Sequence, residues 1–62
     1  MKYSEVEKKV SAAGCYLFKN AKKHPLWYSP ITGKYFRLSY HTSQEVKTGT
    51  LKSISNDSGV KL

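Results

Sequence analysis

Two histidines and a dense run of lysines are the residues of this chain whose types could do chemistry. His24 closes the run Lys19-Asn20-Ala21-Lys22-Lys23 and opens Pro25-Leu26-Trp27-Tyr28, so a cationic turn delivers one imidazole to the start of an aromatic segment. Imidazole gains and loses a proton near neutral pH. Lysines hold phosphates without choosing a base sequence, and flat aromatic faces accept unstacked bases. The three features together describe a candidate RNA-handling site. Each also has a plainer reading, since a lysine-rich turn suits a solvated hairpin tip and a single His suits an ordinary surface position.

The chemistry open to such a set is RNA cleavage without a metal. A base takes the proton of a ribose 2′-OH, the freed oxygen attacks the adjacent phosphate, and an acid protonates the departing 5′-oxygen. The products are a 2′,3′-cyclic phosphate and a 5′-OH, and positive charge around the phosphate lowers the barrier. His24 is the expected base. The acid is expected to be His41 or a lysine, although His41 reads equally as a loop residue that ends a strand. Lys22, Lys23 and Arg37 are the expected phosphate clamps, with Lys19, Lys34, Lys52 and Tyr28 as further RNA contacts.

No cofactor is expected. Mg²⁺ is normally held by clustered carboxylates, whereas Glu5, Glu7, Glu45 and Asp57 are scattered along the chain. Two histidines and one cysteine lack the spacing of a structural zinc site. There is no Gly-rich phosphate loop and no nucleophile triad.

Charge and length set the context. Eleven Lys and Arg against four Asp and Glu give a formal net charge of +7 on 62 residues, which points to a polyanionic partner. The basic residues are spread over several elements rather than one amphipathic helix face, so a membrane surface fits less well than a nucleic acid. A chain this short makes one domain, residues 1–62, near the lower limit for a core without staples. Cys15 is alone and cannot form an internal disulfide, which suits a reducing compartment. With no apolar segment after Met1, no bilayer-spanning run and no lipidation signal, the expectation is a soluble cytoplasmic protein without membrane attachment.

The elements that must position the site read as follows. Ser4-Glu5-Val6-Glu7 fits a capping box, predicting a helix over about residues 4–13, with Val6, Val10 and Ala13 as its apolar stripe and Gly14 as its stop. Cys15 to Lys19 reads as a strand with Leu17 facing one way and Tyr16 and Phe18 the other. A second strand spans His24–Ser29, and Pro25 argues for a sheet edge or for a start at Leu26. Alternation places His24, Leu26 and Tyr28 opposite Pro25 and Trp27. Pro30 to Gly33 forms a turn. The third strand, Lys34–Tyr40, sets Phe36, Leu38 and Tyr40 against Tyr35, Arg37 and Ser39. After a loop from His41 to Lys47, Thr48 caps a second helix with Leu51 and Ile54 facing inward, Gly59 ending it and Val60 folding back. The class is α+β, in the order α-β-β-β-α.

Those residues also carry a family resemblance. Met1-Lys2-Tyr3-Ser4-Glu5, Gly14, the basic turn leading to His24, Pro30 with Thr32-Gly33-Lys34, His41, and Gly49-Thr50-Leu51-Lys52-Ser53-Ile54 together resemble the HicA-type toxins of bacterial toxin–antitoxin pairs. The resemblance implies an mRNA interferase with a double-stranded-RNA-binding-domain-like fold, a three-stranded antiparallel sheet with two helices on one face. It also implies a HicB-type antitoxin as partner and mRNA as substrate. One departure falls at the site, for the family usually presents Gly-Ser before its catalytic His, where this chain has Lys22-Lys23. The two lysines either strengthen phosphate binding or mark a chain whose cleavage is altered. Two other functions stay open: a non-catalytic RNA-binding module, and a protein-interaction domain that docks an acidic partner.

Overall fold

In the computed structural model, which describes residues 1–62, Val6 and Val10 lie one turn apart on helix α1 (Tyr3–Ala12), and both are fully buried. Ala13, the expected third member of that stripe, is instead the exposed C-cap. Gly14 takes φ +105° and turns the chain, so Cys15 becomes the next buried residue, its N–H donating to the Val10 carbonyl at 2.9 Å.

The start of α1 differs from the expected capping box by two residues. Lys2 holds the extended N-cap conformation, and its N–H donates to the Glu5 carboxylate at 3.0 Å. Ser4 is already inside the helix, and its N–H and that of Tyr3 donate to the carbonyls of Thr42 and Gln44 at 2.9 and 3.1 Å. The loop after the sheet thus satisfies the free donors that Ser4 and Glu7 were expected to satisfy locally.

That geometry carries a pH signature. The Lys2 N–H bond, foremost, holds the Glu5 carboxyl below the usual glutamate range. A depressed carboxyl stabilises the fold above its unfolded pKa, and the contribution disappears as pH falls through the folded value. Glu5→Gln should therefore lower the thermal midpoint at about pH 6, and the gap should narrow as pH falls below the ordinary glutamate range and through the depressed folded value. Circular dichroism melts of the two proteins across a descending pH series measure this; a gap that does not change with pH would show that the Glu5 charge does not hold the helix start.

The strands β1 (Tyr16–Asn20), β2 (Pro25–Ser29) and β3 (Lys34–Arg37) form an antiparallel meander in the order β1-β2-β3. β2 is therefore central, not an edge. Pro25 is tolerated there because it is the first residue of the strand, where its missing N–H interrupts no ladder, and its carbonyl still accepts from the Leu38 N–H at 3.2 Å. β3 is shorter than expected. With the chain before Pro25 already turning away, residues beyond Leu38 have no strand left to pair with, and alternation stops. Leu38 and Ser39 are both buried, while Tyr40 is exposed.

β1 carries a bulge. Leu17 pairs with Trp27 and Lys19 with Leu26, so Phe18 and Lys19 together oppose the single residue Leu26. An extra residue in one strand resets the alternation after it. Lys19 consequently shares the face of Tyr16, Leu26 and Tyr28 rather than that of Leu17.

α2 (Thr48–Ser58) begins one residue earlier than expected, with Lys47 extended at the N-cap and Thr48, the expected cap, already helical. Val46 just before it donates its N–H to the Met1 carbonyl at 2.9 Å, which ties the chain ahead of the helix to the N-terminus. Both helices cover one face of the sheet, and the core between consists of Val6, Val10, Cys15, Trp27, Phe36, Leu38, Val46 and Ile54. Leu51 and Val60 pack against it.

Ser29 and Thr32 donate from their hydroxyls to the carbonyls of Ser58 and Asp57, tying the end of α2 to the turn between β2 and β3. Gly59 sits beside that turn at φ +73°, and a Cβ there would stand 2.9 Å from the side chains of Ile31 and Thr32. This anchoring makes α2 run back along β3, so Thr50 reaches the end of the sheet where Arg37 lies. No helix is long and apolar enough to cross a membrane.

Candidate functional site

His24 stands in a bend immediately before β2 and is exposed. With Ala21, Lys23 and Arg37 it lines an open cleft of about 270 Å³ at one end of the sheet. Three separate pieces of chain assemble this cleft. The turn supplies Ala21 and Lys23; the start of β2 fixes His24 through the Asn20–Pro25 pairing. Arg37 arrives from β3, where it pairs with Leu26. Lys19 pairs with Leu26 from the other side, so the row Lys19–Leu26–Arg37 runs across the sheet beside the cleft.

The turn itself is pinned by a residue that periodicity had assigned elsewhere. The Tyr40 hydroxyl donates to the Ala21 carbonyl at 2.7 Å, tying the turn to the chain that follows β3. Tyr40 read as a member of the Phe36–Leu38 face because a strand was expected to continue through it. No local signal marks the break, since its cause is the missing partner on β2.

The other expected site residues are divided by the fold. Lys22 is exposed on the turn beside the cleft. Lys34 pairs with Ser29 at the opposite end of β3, three residues from Arg37, a distance of about 10 Å along a strand. Lys52 is exposed on α2 and takes no part in lining the cleft. Tyr28 lies on the open sheet face, its ring centroid 5.6 Å from that of Tyr16 and 5.0 Å from that of Tyr35.

His41 does not line the cleft either. It is an exposed loop residue whose N–H donates to the Ser39 hydroxyl at 3.0 Å and whose carbonyl accepts from Gln44. It follows Tyr40 directly, which brings its backbone to the same end of the molecule as His24.

The electrostatics are one-sided. The single ion pair joins the Met1 amino group to Glu45, so none of the eleven Lys and Arg side chains is neutralised by a carboxylate. Around the cleft, Lys19, Lys22, Lys23 and Arg37 concentrate unpaired positive charge where a phosphate could sit. The four carboxylates lie on α1, in the loop and on α2, and no three His, Cys, Asp or Glu side chains gather at one point.

Residues 3–60, a span containing all five elements, match the family described as HicA toxin of bacterial toxin–antitoxin. The chain belongs to the HicA toxin family. It is thus the toxin component of a toxin–antitoxin pair, and such a pair implies an antitoxin partner. No curated protein and no solved structure matches it. The matched span includes the turn, and at its centre this HicA-family chain presents Lys22-Lys23 before His24, with Lys23 lining the cleft.

Proposed function

We propose that this toxin is an endoribonuclease that cuts mRNA by metal-independent chemistry, with His24 as general base. The observation that carries the reading is the cleft in which His24, Lys23 and Arg37 meet. A neutral His24 ring accepts the 2′-OH proton, the 2′-oxygen bonds to phosphorus, and the bond from phosphorus to the 5′-oxygen breaks. Lys23 and Arg37 stabilise the charge that develops on the phosphate oxygens. The departing oxygen takes a proton from an acid, for which His41 and the lysines of the turn are the candidates. The two lysines before His24 take the place of a smaller pair in the family pattern and add charge at the phosphate.

A HicB-type antitoxin is the proposed partner, silencing the toxin by covering the turn and His24. Cleavage would take place in the cytoplasm, where mRNA is met. Phosphate contact falls chiefly to Lys19, Lys22, Lys23 and Arg37, with Lys34 and Lys52 touching RNA only where it extends away from the cleft.

Incubating the purified protein with a long unstructured RNA in EDTA tests this directly. The expected products carry 2′,3′-cyclic phosphate and 5′-OH ends, and stoichiometric antitoxin stops their formation. Intact RNA after incubation in EDTA, or 3′-OH and 5′-phosphate ends, would reject the mechanism.

A further inference from the structure

On the sheet face turned away from the helices, four aromatic rings form one continuous row. Tyr16 meets Tyr28 at 5.6 Å between centroids, Tyr28 meets Tyr35 at 5.0 Å, and Tyr35 meets Phe18 at 5.0 Å. Large aromatic side chains on an uncovered face are unusual unless something is to be laid on them. Here Tyr16 is 51% exposed, Phe18 55% and Tyr35 49%, values far above those of the core.

The arrangement depends on the β1 bulge. Phe18 and Lys19 both oppose Leu26, so the bulge adds a ring and a cation to the open face from adjacent positions. From the cleft outward the face carries His24, then the cationic row Lys19–Leu26–Arg37, then the aromatic row Tyr16–Tyr28–Tyr35. The two rows stand two residues apart along the strands, about 7 Å. Arg37 belongs both to the cleft and to the cationic row, so the surface is continuous with the candidate catalytic site. The only carboxylate in the adjoining groove, Asp57, lies on α2 beyond the edge of β3.

We propose that this face is a stacking platform for single-stranded RNA, holding unpaired bases next to the phosphate at His24. The charge of this face favours such an occupant over an apolar protein segment, because unpaired cations border the rings and the one carboxylate nearby, Asp57, reaches only the groove beside Tyr35 at the β3 edge. The proposal rests on the endoribonuclease reading and narrows its substrate. Bases paired in a duplex hide their faces within the stack, whereas single-stranded segments can splay bases onto aromatic rings. The platform thus restricts the toxin to unpaired stretches of mRNA, and it does so with little preference for base identity, since every base has a π-face.

The test uses a short single-stranded RNA carrying 2-aminopurine, whose fluorescence falls when it stacks, and a duplex of the same length. His24→Ala serves as the background so that the probe stays intact. On that background Phe18→Leu and Tyr35→Leu, singly and together, keep apolar bulk on the surface and remove the flat rings. Each single replacement should weaken single-strand binding by about 5- to 150-fold and abolish the quench, with the salt dependence unchanged because no charge is removed. Circular dichroism confirms that these variants remain folded, and Tyr35→Trp, which keeps a ring, should retain affinity.

Wild-type affinity in the Leu variants would overturn the platform while leaving the nuclease reading intact. So would Leu variants that keep RNA and lose only the antitoxin, a result that would make the face a protein interface. Equal binding of duplex and single strand would overturn it as well. If the protein bound no RNA of either kind, the nuclease reading itself would fall, and the platform with it.

Discussion

His24→Ala is expected to slow RNA cleavage by about 10²- to 10⁴-fold, the usual cost of losing a positioned general base. The same change should leave the fold nearly as stable as before. His24 is exposed in a bend ahead of β2 and belongs to no part of the buried core, so truncation opens no cavity, and surface changes of this kind stay within about 0.5 kcal/mol. RNA affinity should also persist, because Lys19, Lys22, Lys23 and Arg37 keep their phosphate contacts and position RNA without the imidazole. Single-turnover cleavage, measured beside binding, separates the two effects. In cells, the wild-type chain should arrest growth and the variant should not. Equal cleavage rates would remove His24 as the base. If neither protein cuts under any condition while both bind, the Lys22-Lys23 departure marks a non-catalytic RNA-binding member of the family.

Binding of single-stranded RNA should fall by about 15- to 130-fold between 50 and 200 mM salt. Four unpaired cations border the cleft and its adjoining row. Three to five phosphate contacts on a single strand give a slope of log K against log salt of about −2 to −3.5, because each neutralised phosphate releases counterion. Replacing Lys22 and Lys23 together by Ala should flatten the slope by a little over one unit. Lys34→Ala should scarcely change it on a short probe, since Lys34 pairs with Ser29 at the far end of the sheet. A slope unchanged by the double replacement would take the turn out of the binding surface. A slope that Lys34→Ala flattens as much would move the binding surface toward the β2–β3 turn.

The same fold dictates how far each side chain could be read in advance. Val6, Val10 and Ile54 were legible as core because helical spacing leaves one face apolar, and all three are buried. Gly33 and Gly59 were legible as stops because they precede or follow apolar runs where positive φ is needed, and both adopt it. His24 at the exit of a cationic turn was visible from residue type and order alone, and so were the order and class of the elements.

Other features had no local signature. Pro25 suggested an edge, yet β2 is central, because short turns fold both β1 and β3 back onto it and a missing N–H at its first residue breaks neither ladder. Arg37 enters the cleft only through its register with Leu26, a pairing set by the turn at the opposite end of the hairpin. Tyr40 closes the turn because β3 runs out of partner, and the bulge at Phe18 re-aims Lys19 because one strand has a residue more than its neighbour. By itself, then, the sequence determined the elements, the core stripes and the chemical character of the turn, since those depend on spacing within a few residues. Tertiary structure alone decided that Arg37 lines the cleft beside His24 and that Lys19 turns to the same face as Leu26, because both depend on strand register, where a shift of one residue sends a side chain to the other side of the sheet.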